Sequence, residues 1–132
     1  LAADVFILGT PIWLGHPSSI CQRVMERLDA FLGETDDAGR MPSFGKVACA
    51  AVIGNEDGAH HVSAEIFQGL NDLGFSLAPN AVTYWVGEAM QGQDFKDLPQ
   101  TPDKVQQTTR SMARNALHLA GLLRDAQYPG SA

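Results

Sequence analysis

Residues 10–19, Thr-Pro-Ile-Trp-Leu-Gly-His-Pro-Ser-Ser, hold the densest set of groups suited to binding a ligand. They follow the apolar run 5–9 and lead into a helical pattern. They therefore form a loop at the carboxyl end of a parallel strand, where open α/β sheets bind their ligands. Pro11 stiffens the backbone at the strand exit. Gly15 permits close approach or a positive φ. Trp13 offers a flat apolar face to a planar ligand. A stiff turn with Trp13 packed on the core accounts for the same residue types equally well. Residues 54–61, Gly-Asn-Glu-Asp-Gly-Ala-His-His, form a second loop of this kind. Gly54 and Gly58 allow unusual backbone geometry, and Asn55 tolerates the left-handed region. Glu56 and Asp57 read as solvated, or as caps at the positive end of the following helix, ahead of a catalytic role. His60 and His61 beside these acids match no metal motif. Adjacent residues at a helix start do not share a face, so no metal ligand set is read here. His16 is the third loop histidine, and His118 lies in the last helical pattern as a surface or packing residue. No Ser/His/Asp or Cys/His arrangement is distinguishable.

The elements that must position these loops follow from periodicity. Residues 5–8 are a short apolar run ending in Gly9, as a buried parallel strand requires. Ser19 and Gln22 stand three apart, a capping-box pattern. Ile20, Val24, Leu28, Phe31 and Leu32 then repeat at helical spacing, with Gly33 at the expected C-terminal cap. Residues 34–42 are polar and read as a surface loop. Residues 46–53 are apolar on both faces, the pattern of a central strand covered by helices. Val62, Ile66, Phe67, Leu70 and Leu73 mark a second helix ended by Gly74. Gly69 inside it weakens the helical pattern. Residues 75–80 read as a connection, 81–86 as a third strand and 87–102 as irregular. Thr101-Pro102 fits an N-cap with Pro in the first turn. Val105, Thr109, Met112, Ala116, Leu119 and Leu123 trace a final helix, and 128–132 reads as a frayed tail. The order βαβαβα implies parallel strands with crossover helices, an α/β fold.

The two loops carry a resemblance. Residues 10–19 resemble the ring-binding loop after the third strand of flavodoxin-like FMN proteins. Residues 54–61 resemble the loop after the fourth strand in the NADPH-dependent FMN reductase and flavodoxin family. The resemblance covers residues 3–123. It implies a flavodoxin-like three-layer α/β/α fold in which the strands present are three to five of the order 2-1-3-4-5. The family's Ser/Thr-rich phosphate loop follows its first strand and has no counterpart in these residues. Two βα units of ~30 residues each account for the difference. Residues 1–132 are accordingly expected to be a single flavodoxin-like domain lacking its first two βα units. The chain alone is expected to bind FMN weakly or not at all, and to expose the edge of its first strand.

By the same resemblance, Thr10, Pro11, Ile12, Trp13, Leu14, Gly15 and His16 meet the pyrimidine edge and N5 of a flavin ring. Gly54, Asn55, Gly58 and His60 form the wall near the ring's carbonyl edge. Tyr84 and Trp85 shape the pocket of a second substrate, with Glu88, Ala89 and Met90 extending the rim. Core packing fits Tyr84 as well. His60 first and His16 second are the residues placed to steady charge on the reduced flavin or to deliver a proton. The implied activity is that of an NAD(P)H-dependent FMN reductase or quinone reductase. FMN is the cofactor, NAD(P)H the electron donor, and a quinone or free flavin the small-molecule acceptor. A flavodoxin-type electron carrier, or a flavin-free flavodoxin-like remnant with an interaction role, is the alternative. Related reductases imply a homodimer or tetramer.

Composition narrows the field. The net charge is −6 and the pI about 5.0, against nucleic acid or an anionic membrane as a partner, since both need basic patches. Two cysteines, Cys21 in a helical pattern and Cys49 in a strand pattern, read as buried free thiols of a reducing compartment. No apolar run approaches the ~18 residues of a membrane span. The expected location is cytoplasmic.

Overall fold

The computed structural model describes residues 2–131. Strand β1 spans Val5–Trp13, β2 His16–Pro17, β3 Val47–Ile53 and β4 Ser76–Trp85. Helix α1 spans Ser19–Leu28, α2 Ala59–Asp72 and α3 Asp103–Asp125. The sheet order is β2-β1-β3-β4. β1, β3 and β4 run parallel, and only the short β2 is antiparallel to β1. The parallel core is the order expected for strands three, four and five of a flavodoxin-like sheet.

Three layers result. Helices α1 and α2 close one face around Leu8, Ile12, Ala48, Ala50, Val52, Val62, Ile66 and Leu70. Helix α3 closes the other around Val47, Cys49, Ala78, Met112, Ala116, Ala120 and Leu123. β3 lies between the two layers and is buried on both faces, as its unbroken apolar run requires. Its Ala and Cys side chains are short, so both helical layers approach the sheet closely.

β1 departs from the expected doubly buried strand. Its residues alternate, with Leu8, Thr10 and Ile12 buried and Ile7, Gly9 and Trp13 exposed. α3 lies mainly over β4 and leaves this side of β1 open. Ile7 is 56% exposed in consequence.

α1 is shorter than its apolar repeat predicts. It ends at Leu28, and a 3₁₀ turn over Asp29–Gly33 follows. Its rotation also differs. Cys21, Met25 and Leu28 face the core, while Ile20 and Leu32 face solvent. The cause is the cap. Ser18, not Ser19, is the N-cap, and its Oγ accepts the Cys21 N–H at 3.2 Å. Thr10 Oγ1 in turn accepts the Ser18 N–H at 3.0 Å. This buried tie fixes the first turn against the end of β1 and turns Cys21 inward.

In α2, Gly69 has a packing reason. A Cβ there would stand 2.5 Å from Met25 Cε, the end of a flexible α1 side chain, so the glycine makes room for the Met25 tip between the two helices. Gly74 ends the helix at φ 91°, with Phe75 N–H donating to Leu70 O at 3.0 Å.

The expected connection 75–80 is instead the first half of β4. Its pairing with β3 slips between Ala48 and Ala50, where Pro79 and Asn80 bulge out. Asn80 adopts φ 58°, and Pro79 has no N–H to give a ladder. A strand flanked on one side only tolerates both. Pro102 is itself the N-cap of α3, one residue later than expected. The described part of the C-terminal tail is tied down rather than frayed. Tyr128 packs edge-on against Phe44 and accepts a hydrogen bond from Ser76 Oγ at 3.0 Å.

Candidate functional site at the carboxyl edge of the sheet

The expected loop 10–17 is a β-hairpin. β1 continues through Trp13, turns at Leu14-Gly15, and returns as β2 with Ile12 opposite Pro17 and Trp13 opposite His16. Leu14 at φ 53° and Gly15 at φ 76° give two successive left-handed residues, the backbone of the two-residue hairpin turn. A Leu at such a position carries no turn signal, which is why the strand extension is illegible in the sequence. Thr10 and Ile12 point into the core. Trp13 is 57% exposed and Leu14 is 91% exposed, so the hairpin tip stands clear of the domain with its indole uncovered.

The tip is braced from below by Gly58, the N-cap of α2, at φ 112°. A Cβ on Gly58 would lie 2.9 Å from Gly15 Cα. Backbone therefore packs on backbone here, and only glycine permits it. Gly54 is similarly close to the hairpin strand, with Ile12 Cβ 2.9 Å from the place of an added Cβ.

Between the hairpin and the end of β4 lies a cleft of about 510 Å³. Pro11, Ile12, Trp13 and Ile53 line one side, and Trp85 and Phe95 the other. Trp85 is 9% exposed and stacks at a tilt on Phe95, 5.5 Å between centroids. It forms a wall held by the core. Asn55 organises the rim. Its Nδ2 donates to Gln91 O at 3.0 Å and to Asp94 Oδ1 at 3.1 Å, which uses both amide hydrogens. Its backbone carbonyl accepts the Met90 N–H. The irregular segment after β4 is thereby folded over the cleft. Asp94, Phe95 and Lys96 line it, rather than Glu88, Ala89 and Met90. Nothing in their spacing marks these residues in the sequence, because a tertiary hydrogen bond from Asn55 places them.

The histidines separate. His60 and His61 lie in the first turn of α2, not in a loop. His60 packs edge-on against Tyr84 at 5.2 Å between centroids. His61 turns the other way, edge-on to His16 at 4.8 Å. Glu65 joins the second pair. Its Oε1 lies 2.9 Å from His16 Nδ1 and 2.7 Å from His61 Nε2. The His61–Glu65 half is an i, i+4 pair legible on a helix; the His16 half is 49 residues from Glu65 and is not. Glu56 and Asp57 do not cap α2, whose N-cap is a glycine without a side-chain bond. His118 is exposed on α3.

Burial pushes the thiols of Cys21 and Cys49 up from their ordinary values, with a hydrogen bond from Thr10 acting weakly against the shift at Cys21. Both stay protonated and poorly nucleophilic. Among the described residues, no helix is long and apolar enough to cross a membrane.

Residues 1–91 match the NADPH-dependent FMN reductase family. The chain is 35% identical over 129 residues to 8-demethyl-8-aminoriboflavin-5'-phosphate synthase of Streptomyces davaonensis, spanning 96% of this chain and 49% of the synthase. It is 34% identical over 128 residues to the divalent metal cation transporter MntH of Mycobacterium bovis, spanning 94% of this chain but 19% of the transporter. The crystal structure of RosB with bound 8-demethyl-8-formylriboflavin-5'-phosphate superposes with a TM-score of 0.84 at 35% identity. That match covers 96% of this chain and 50% of RosB, so the chain spans about half the length of its flavin-handling relatives. The hairpin and the α2 N-terminus both lie within the matched residues, and the chain belongs to the NADPH-dependent FMN reductase family, with a flavodoxin-like fold.

Proposed function

We propose that these residues form the ring-binding half of an FMN-dependent oxidoreductase that passes electrons from NAD(P)H to a small acceptor such as a quinone or free flavin. The observation that carries this reading is the cleft between the Trp13 hairpin and the Trp85–Phe95 wall, in a chain of the FMN reductase family. Its volume and aromatic sides suit a planar ring. Bound FMN supplies hydride and electron transfer. The chain's own residues supply the slot. Trp13 covers one face of the ring, and the exposed turn of Leu14 and Gly15 offers backbone to its polar edge. Gly58 holds that turn in place. Tyr84 and His60, packed edge-on at the strand end, border the space for the second substrate. His60 is the group nearest to proton duty, with His16 second. The family's phosphate loop has no counterpart in these residues. The assembly is a homodimer or tetramer.

A second reading follows from the likeness to the Streptomyces synthase: the flavin phosphate is the substrate and is altered on its ring. One experiment separates them. The protein is incubated with FMN, NADPH and a quinone, and both NADPH absorbance and flavin mass are followed. NADPH consumption with FMN recovered unchanged supports the reductase. A changed flavin mass supports the synthase-like reading. Neither change, together with no flavin absorbance retained by a protein that carries the family's phosphate loop, sinks both and favours the flavin-free remnant. Retained flavin without NADPH consumption points to an electron carrier.

A further inference from the structure

We propose that His16, His61 and Glu65 form a binding site for a divalent transition-metal ion of the zinc type, which clamps the hairpin to α2. The proposal does not rest on the flavin reading, and an ion held by His16 leaves proton duty to His60 alone. The three side chains come from two elements, β2 and α2, and offer two imidazole nitrogens and one carboxylate oxygen. All three ligand atoms lie within 4.8 Å of one another.

The chemistry of the set points to a borderline metal. Two imidazoles and a carboxylate suit zinc and its transition-metal neighbours, not calcium or magnesium, which take oxygen ligands. Three protein ligands leave a fourth position to water, the composition of an open zinc site. Ligand atoms ~2.0–2.1 Å from a tetrahedral ion stand roughly 3.3 Å apart. The two histidine–glutamate distances, 2.9 and 2.7 Å, must open by about half an ångström, and the two imidazole nitrogens, within 4.8 Å of each other, must close by about 1.5 Å to admit it. Exposed side chains can make this adjustment, and here they are 61%, 56% and 37% exposed for His16, His61 and Glu65.

The arrangement is itself unusual. Both rings direct a nitrogen at the same carboxylate oxygen, so each must spend an N–H on it. A metal ion replaces both hydrogens and satisfies three lone pairs at one point. The backbone supports convergence. The left-handed turn at Leu14-Gly15 brings His16 over α2, and Gly58 lets the turn sit close enough for His16 to reach Glu65. His61 and Glu65 are one turn apart on α2, so helix geometry aligns them without further constraint.

The test is calorimetric titration of the tag-free protein with Zn²⁺, beside His16→Ala, His61→Ala and Glu65→Gln. His118→Ala, on α3, serves as the control, and circular dichroism checks that each variant is folded. One Zn²⁺ per chain is expected, with binding weakened at least tenfold in each of the three variants and unchanged in the control. Co²⁺ provides a second readout, since a low-symmetry site gives visible absorption that the three variants lose. No saturable Zn²⁺ binding by the native protein overturns the proposal. So does binding that survives in His61→Ala and Glu65→Gln, because the ion then sits elsewhere.

Discussion

Gly58 and Gly15 offer a matched pair of perturbations. Both have positive φ, 112° and 76°. An alanine at either position incurs the left-handed penalty of roughly 1–2 kcal/mol. They differ in surroundings. An added Cβ at Gly15 meets nothing within 4 Å, whereas at Gly58 it meets Gly15 Cα at 2.9 Å and Gly15 O at 3.2 Å. Those neighbours are backbone and can give only if the hairpin lifts from α2. Overpacking of that kind adds roughly 1–3 kcal/mol. Gly15→Ala is therefore expected to lose about 1–2 kcal/mol, and Gly58→Ala about 2–5 kcal/mol. Urea unfolding of the two variants beside the native protein reads the difference directly. Domains of this kind carry about 5–15 kcal/mol, so Gly58→Ala should still be folded. Because the hairpin carries Trp13, the same variant should lose flavin affinity by more than its stability loss explains, and Gly58→Val more so. Equal stability losses at the two positions would refute the contact argument. Unchanged flavin affinity in Gly58→Val would refute the role of the turn in holding the ring.

Thr10→Val keeps the shape of the side chain but removes the acceptor of the buried Ser18 N–H. A loss of about 1–3 kcal/mol is expected for the orphaned donor; a stability within error of native would show that the tie does not hold α1. Gly69→Ala is expected to change stability by less than about 1 kcal/mol, because the gain in helix propensity offsets displacement of the flexible Met25 tip. A large loss there in thermal unfolding would mean that Met25 is rigidly packed. The Asp36 carboxyl is held below its ordinary value of 3.8, first by the Arg40 backbone N–H and then by the Arg40 side chain. A lowered folded value contributes stability that is present above the unfolded value and lost as pH falls through the folded one. Carboxyl NMR titration should place its midpoint below 3.8, and Arg40→Ala should raise it; an unshifted midpoint contradicts the loop geometry.

Much of this protein is legible from local patterns. The alternation of strands and helices, the central position of β3 and the buried stripe of α3 follow from periodicity, which depends only on where each Cβ points in a helix or strand. The two loop clusters at the carboxyl edge follow from the same rule, since a parallel βα unit delivers its loop there. Tertiary contacts decided the rest. Ile20, Val24 and Leu32 look like the inner face of α1, yet the Thr10–Ser18 bond rotates the helix so that Cys21 and Met25 are inside. Leu14 looks like an ordinary apolar residue, yet the hairpin forces it left-handed. Pro79 and Asn80 look like a connection, yet a one-sided strand absorbs them as a bulge. Asn55 looks like a ligand contact and does line the cleft, and its amide also folds the segment that carries Phe95 over it. Glu65 looks like an ordinary surface acid one helical turn from His61, yet the hairpin brings His16 to it. The Asn55–Asp94 and His16–Glu65 contacts join residues 39 and 49 apart, and even the Thr10–Ser18 bond spans eight; composition and spacing hold no record of such contacts.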